Sequence, residues 1–362
     1  MGQTTMSGAV MRQDLGGYER RLAVQARRAW HHLPAADVAA AVDAGMLTHA
    51  VHTTHLRRQP EETPLESGER VAAAVGHSAA QVQRQGLPPD STSPVAWHDD
   101  FGSLIPVVAA SSGAGASVVA AVVADAVAQA GWRTMLADTA DPVRSGLAMA
   151  TSTEGPVTAG PDPAVRLRFS WRGPVVVARV ETSLPVLAPG MVPPPPCWQS
   201  PFGPSQVTVI DLAHDSWRLA AHPLTGAGQW LRHGTPSPRP LLVCRATRPS
   251  VTAAEQVLAR LEHWVAAGVA VAPAQLVVTG DRRWPAGVAG VAGRRLAALV
   301  EDAVFLPWDR DLARSGITDT PTPAGLRAAV TPLLRRWGVL NTATRSPRRA
   351  DAPRPTSAGG TA

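Results

Sequence analysis

The sequence contains no lysine: all 34 of its basic residues are arginine. Ala, Gly and Pro are also heavily used, so the base composition of a GC-rich coding sequence explains the bias more simply than selection for arginine chemistry. Cysteine is almost missing. Cys197 and Cys244 form no Cys-x-x-Cys pair, and two thiols are too few for a disulfide framework or a metal quartet. A reducing, cytoplasmic setting fits that usage. Tyr (1) and Phe (4) are scarce, whereas Trp (11) is not, and charged residues make up only 17%. No long apolar run is uninterrupted. The most apolar stretch, 105–130, is broken by Ser111, Ser112, Gly113, Gly115 and Asp125, which makes it a poor membrane span. Met1 to Arg12 is polar and lacks the apolar core of a signal peptide.

What is present allows a sizeable core, since 45% of the 362 residues are hydrophobic. The 34 Pro and 31 Gly argue for long irregular stretches beside it. A net charge of +6 permits an acidic partner, such as nucleic acid or a membrane surface, without requiring one. Composition divides the chain in three. Residues 1–100 are polar and rich in Arg, His and Ala, and are expected to be helical (17–33, 35–49, 69–85) and partly disordered, with proline-bearing linkers at 60–64 and 88–94. Residues 101–340 carry nearly all the strand-like runs. Residues 341–362 lack periodicity and read as a disordered tail.

The middle region alternates between the two periodicities. Strands are expected over 106–110, 133–138, 206–211, 240–244, 275–279 and 303–306, with a hairpin from 167–171 and 175–180. Helices are expected over 117–130, apolar nearly all round and stopped by Gly131, then 252–267 behind the capping box Thr252-Ala-Ala-Glu255, 287–300 and 323–337. Between Pro185 and Pro204 lies a proline-rich loop. Such alternation predicts an α/β domain, a mainly parallel sheet with helices on both faces, preceded by a small helical region.

Chemistry in such a sheet gathers at the carboxyl ends of the strands. The first strand runs into Ala110-Ser-Ser-Gly-Ala-Gly-Ala-Ser117 and then a helix. Small side chains there let backbone amides converge on an anion, with the helix dipole behind them. Against the phosphate-loop pattern G-x-x-x-x-G-K-S/T, Gly115 and Ser117 stand in place, while Ala110 replaces the first Gly and Ala116 the Lys. A tight connection between strand and helix needs the same small residues, so the loop alone does not decide.

The order of motifs does more. The loop, the strand-end segment Leu136-Ala-Asp-Thr-Ala-Asp-Pro142, the strand Val207-Thr-Val-Ile-Asp-Leu212, the strand-turn-helix from Leu241 to Glu255 and Val304-Phe-Leu-Pro-Trp-Asp-Arg-Asp-Leu-Ala-Arg314 follow one another as in the MinD/ParA family of deviant-Walker ATPases, which the chain resembles over roughly 104–318. Gly113, Gly115 and Ser117 match the family's K-G-G-x-G-K-S/T loop; Ser111, Ser112 and Ala116 depart from it. The resemblance implies a P-loop NTPase-like fold and a nucleotide site at Ser112, Gly113, Ala114, Gly115, Ala116, Ser117 and Val118. It implies Mg²⁺ near Ser117, Asp138, Asp141 and Asp211, and ATP or ADP as ligand, or no nucleotide if the site is dead. It also implies protein partners, a homodimer among them, in positioning, partition or assembly. The missing lysines argue against rapid hydrolysis and for a pseudo-ATPase or a weak one. Arg144 and Arg248 are candidate substitutes for the lost cation.

Each acid also has a plainer reading: Asp211 capping a loop, Asp138 and Asp141 forming turns before Pro142, Ser117 opening a helix. His49, His52 and His55 are spaced for a metal but lack a Cys or acid cluster. Arg20, Arg21, Arg27 and Arg28 recur on one helical face that could meet phosphate or remain solvated; a DNA-associated adaptor stays open on that account. Trp198, Trp217, Trp230 and Trp284 fall in or beside loops, where exposure would suit a partner and burial would mean packing.

Overall fold

The computed structural model describes residues 95–97, 99–221 and 224–340. The helices expected before residue 95, the clustered histidines and arginines there, and the tail from 341 lie outside the described residues.

Strands β1 (Val95–Ala96) and β8 (Gly234–Thr235) form a small parallel pair. The main sheet has nine strands, β2 (Ser103–Ala109), β3 (Thr134–Asp138), β4 (Val157–Ala159), β5 (Val165–Arg172), β6 (Val175–Thr182), β7 (Val207–Leu212), β9 (Leu241–Arg245), β10 (Gln275–Thr279) and β11 (Val304–Leu306), in the order β11-β10-β9-β2-β7-β3-β6-β5-β4. From β11 to β6 every pairing is parallel; β5 is antiparallel to both its neighbours. Gly173, at φ 53°, makes the tight β5–β6 hairpin.

Strand side chains alternate between two cores, as strands buried on both faces must. Leu104, Ile210, Leu242 and Leu276 point to one, Ile105, Val209, Val243 and Val277 to the other. Helices α1 (Ala116–Gln129) and α6 (Ala324–Arg336) cover the second face. Helix α3 (Arg248–Ala266), with Val251, Ala254, Val257 and Leu261 buried on one stripe, covers the first, together with α2 (Ser216–Ala221) and α4 (Arg294–Val300). A short α5 (Arg310–Ser315) follows β11, capped by the Asp309 carboxylate.

The expected α/β architecture is the observed one, with local corrections. Helix α3 starts at Arg248, not at Thr252, because Pro249 suits a first turn and Thr247 already has extended backbone. Glu255 therefore is no cap for its own helix; its carboxylate accepts from the Leu296 amide at 2.9 Å and so caps α4. The helix expected over 287–300 is a 3-10 turn at Ala289–Val291 followed by α4. The break falls at Gly293, where a Cβ would stand 2.4 Å from the Glu255 carboxyl carbon. Trp198 and Trp230 are core residues, packed edge-on with Trp97 stacked on Trp230 at 5.8 Å. Trp217 is exposed, under Arg260 at 5.0 Å, and Trp284 packs on Phe305.

Candidate phosphate-loop site

Helix α1 buries almost all of its length, which fixes its first turn against the end of β2. The loop between them turns on two glycines with left-handed backbone, Gly113 (φ 73°) and Gly115 (φ 92°). Gly115 also permits a close approach: a Cβ there would lie 3.3 Å from Thr279 Cγ2, whereas nothing stands within 4 Å of one on Gly113. Neighbouring strands hold the loop in place. The Ala110 amide donates to Val243 O at 2.7 Å, the Thr279 hydroxyl to Ala114 O at 2.7 Å, and Arg245 Nε to Gly113 O at 2.9 Å. No side chain caps the amino end of α1, so its leading amides are left for a ligand or water.

The loop separates two clefts. One, of about 500 Å³, has the loop as one wall and Asp141, Arg144, His214 and Arg218 among the others. The second, of about 360 Å³, shares Gly113 and is lined by Arg245, Thr279, Asp281, Leu326 and Trp308, the last 67% exposed. Ser112 and Gly113 are exposed, Ser117 and Val118 half-buried, and Ala114 and Ala116 buried. At the lysine position of the phosphate-loop pattern, the first cleft thus meets a methyl group.

Asp138 and Asp211 end adjacent strands as register partners, with 2% and 0% of their surfaces exposed. Asp138 accepts from the Ala140 amide at 3.0 Å and from the Ser145 hydroxyl. Neither carboxylate oxygen of Asp211 meets a donor in hydrogen-bond geometry. Burial, then the neighbouring Asp138 charge, pushes the Asp211 carboxyl up to about 8; the nearby Ser117 hydroxyl opposes this weakly. Burial likewise raises Asp138. Two buried carboxyls, one without a partner, beside a hydroxyl are a donor set that fits a hard divalent cation completed by water and phosphate. Asp141 is differently employed. Its oxygens accept from the Val143 amide (3.1 Å) and the Leu187 amide (3.2 Å), pinning the proline-rich loop to this turn. Among the described residues no group of three or more His, Cys, Asp or Glu is gathered for a metal.

The turn after β3 lies directly over Ser117: a Cβ on Gly146 would come within 2.6 Å of the Ser117 hydroxyl. His214 bonds Thr139 O through Nε2 at 2.7 Å, and burial holds its pKa below the usual imidazole value, so it is neutral at pH 7. Of the two arginines singled out in the sequence, Arg144 lines the first cleft, whereas Arg248 donates to Gly287 O at 3.2 Å, away from the loop. Arg245, His214 and Arg218 carried no sequence signal. Arg245 bonds a residue 132 positions away and His214 one 75 positions away, and only strand order brings each pair together. No helix among the described residues is long and apolar enough to cross a membrane.

No protein-family model matches the chain, and no curated protein does. Solved structures do resemble it in fold, MinD cell division proteins and a plasmid partition protein among them. The MinC:MinD cell division protein complex of Aquifex aeolicus matches at 13% identity and a TM-score of 0.44, over 68% of this chain and 99% of that one. The septum site-determining protein MinD of Pyrococcus horikoshii OT3, complexed with Mg-ADP, matches at 16% and 0.44, over 66% and 98%. A plasmid partition protein of Borrelia burgdorferi B31, bound to AMPPNP, matches at 10% and 0.39, over 66% and 99%. The likeness is one of fold, and the fold itself is established by the parallel strand order and the loop that follows β2.

Proposed function

We propose that this chain is a MinD/ParA-like protein with a degenerate nucleotide site, which binds ATP or ADP with Mg²⁺ weakly and acts through protein partners, in positioning, partition or assembly. The observation that carries the reading is the loop's place between two clefts of different chemistry. An arginine-lined cleft suits phosphates, and a cleft walled by Leu326 and the exposed Trp308 suits a base that stacks. Asp211, with Asp138 beside it, would hold the cation that accompanies phosphate; the cation would supply charge neutralisation there.

Hydrolysis is a different matter. Phosphoryl transfer is catalysed chiefly by positioned charge, and losing one preorganised donor in a comparable oxyanion site costs about 3–4 kcal/mol. With Ala116 at the lysine position, turnover should be about a hundredfold or more below that of an intact loop. Calorimetry of the full chain with ATP and ADP plus Mg²⁺, and a phosphate-release assay, test both halves. Failure to bind either nucleotide at millimolar concentration removes the site. Turnover equal to that of an intact ATPase removes the pseudoenzyme half.

A further inference from the structure

We infer that Arg245 is the cation that meets the bound phosphates in place of the missing lysines; this rests on the reading that the loop holds a nucleotide. Strand register supplies the first argument. Ala109 of β2 is paired with Val243 of β9, so Arg245, which closes β9, emerges beside the loop that follows β2. Ser111, in that loop, stands where K-G-G-x-G-K-S/T has its first lysine. Arg245 enters the loop from the neighbouring strand where the loop's own sequence has a hydroxyl.

Anchoring supplies the second. The Ser250 hydroxyl accepts from the Arg245 amide at 2.9 Å and stands 3.4 Å from the Ser111 hydroxyl, so one side chain ties both strand ends together. The Arg245 side chain then donates through Nε to Gly113 O. A guanidinium has five N–H donors in a rigid fork, and a carbonyl at Nε leaves the two terminal nitrogens, the pair that grips phosphate bidentately. Among the described residues Arg245 forms no ion pair with a carboxylate. Arg245 lines the second cleft, not the first, but Gly113, which it holds, lines both, so the guanidinium stands at the border that a ligand spanning the loop must cross. Asp211, buried beside Ser117 with no donor in hydrogen-bond geometry on either carboxylate oxygen, independently marks the first turn of α1 as a place for a ligand.

The test is calorimetry on the full chain with Mg-ATP and with adenosine, comparing wild type with R245Q, R245K and R248Q. R245Q should bind Mg-ATP about ten- to a hundredfold more weakly, the loss expected for one charge-assisted contact, with adenosine binding unchanged. R245K keeps the charge but loses the bidentate fork, so it should fall between wild type and R245Q, and R248Q should match wild type. The inference is overturned if R245Q binds Mg-ATP like wild type. It is also overturned if R245K loses as much as R245Q, which would make the residue a loop brace, or if R248Q loses as much, which would make the effect one of general charge. A wild-type chain that binds neither ligand overturns the nucleotide reading together with this one. Wild-type binding with an indifferent R245Q overturns this one alone.

Discussion

Asp138 and Asp211 stand side by side at the carboxyl ends of adjacent parallel strands, and only Asp138 has its carboxylate hydrogen-bonded. The folded chain therefore keeps a proton on Asp211 up to about 8, where an unfolded chain releases it near 3.8. Between those values the native state binds more protons than the unfolded state, so stability falls as pH rises through the window. Asp211→Asn keeps the shape without the charge. Without divalent cation, its melting temperature should exceed the wild-type value by several degrees at pH 8 (each kcal/mol being worth about 2–4 °C), and the gap should close toward pH 4. Melting curves with a gap that is equal at both pH values would contradict the burial of an unpartnered carboxyl.

A second buried charge has the opposite character. Asp125, on the otherwise apolar α1, pairs with Arg172 and accepts from both the Thr322 amide and its hydroxyl at 2.7 Å. Arg172 also donates to the Thr318 carbonyl at 2.8 Å and to that of Thr320. With 3% and 2% exposure, neither can turn to water. Arg172→Met should destabilise the fold by about 3–5 kcal/mol, because it strands the carboxylate. Adding Asp125→Leu to it should recover a large part of that. Urea titrations of the two variants measure the difference, and a double variant no more stable than the single one would refute the account.

The two loop glycines should differ. Ala at either position takes a left-handed backbone at a cost of about 1–2 kcal/mol. Only Gly115→Ala also presses a methyl against Thr279. Thermal melts should rank Gly115→Ala below Gly113→Ala, and nucleotide binding should suffer in the same order.

Among the tryptophans, Trp230 lies at the centre of a cluster with Trp97, Trp198 and Phe101, at 5.8, 6.4 and 5.3 Å. Trp230→Ala should cost about 3–5 kcal/mol. Trp217→Ala, at a side chain 49% exposed, should change stability by about 0.5–1 kcal/mol at most. Denaturant midpoints for the pair separate packing from surface roles.

The apolar periodicities made the β2–loop–α1 unit, the β5–β6 hairpin and the strands that end in Asp138 and Asp211 legible, because strands buried on both faces leave near-continuous Val, Ile and Leu runs. Gly131 marked the end of α1 for a reason visible locally, its φ of 89°. Other features are written in no local pattern. Glu255 resembled half of a capping box, yet it serves a helix forty residues on. Trp198 is buried because the proline-rich segment folds inward, a tertiary event secured in part by Asp141, and Trp230, outside that segment, sits in a short 3-10 turn with no period to show. Short elements such as β4, α2 and α5 have too few residues to show a period. Arg245 reaches the phosphate loop only through the β2–β9 register, a property of the assembled sheet.

The pairing of β1 with β8 fixes where the described chain approaches the main sheet. Asp100 and Phe101 bond to Ser205 and Thr208 at the amino-terminal ends of the strands, whereas the phosphate loop crowns the opposite ends. The length of β2, seven residues or about 23 Å, lies between the two rims. A ligand seated at that loop therefore stands a full strand length from the β1–β8 pair, and any signal between the two rims must be carried through the height of the sheet.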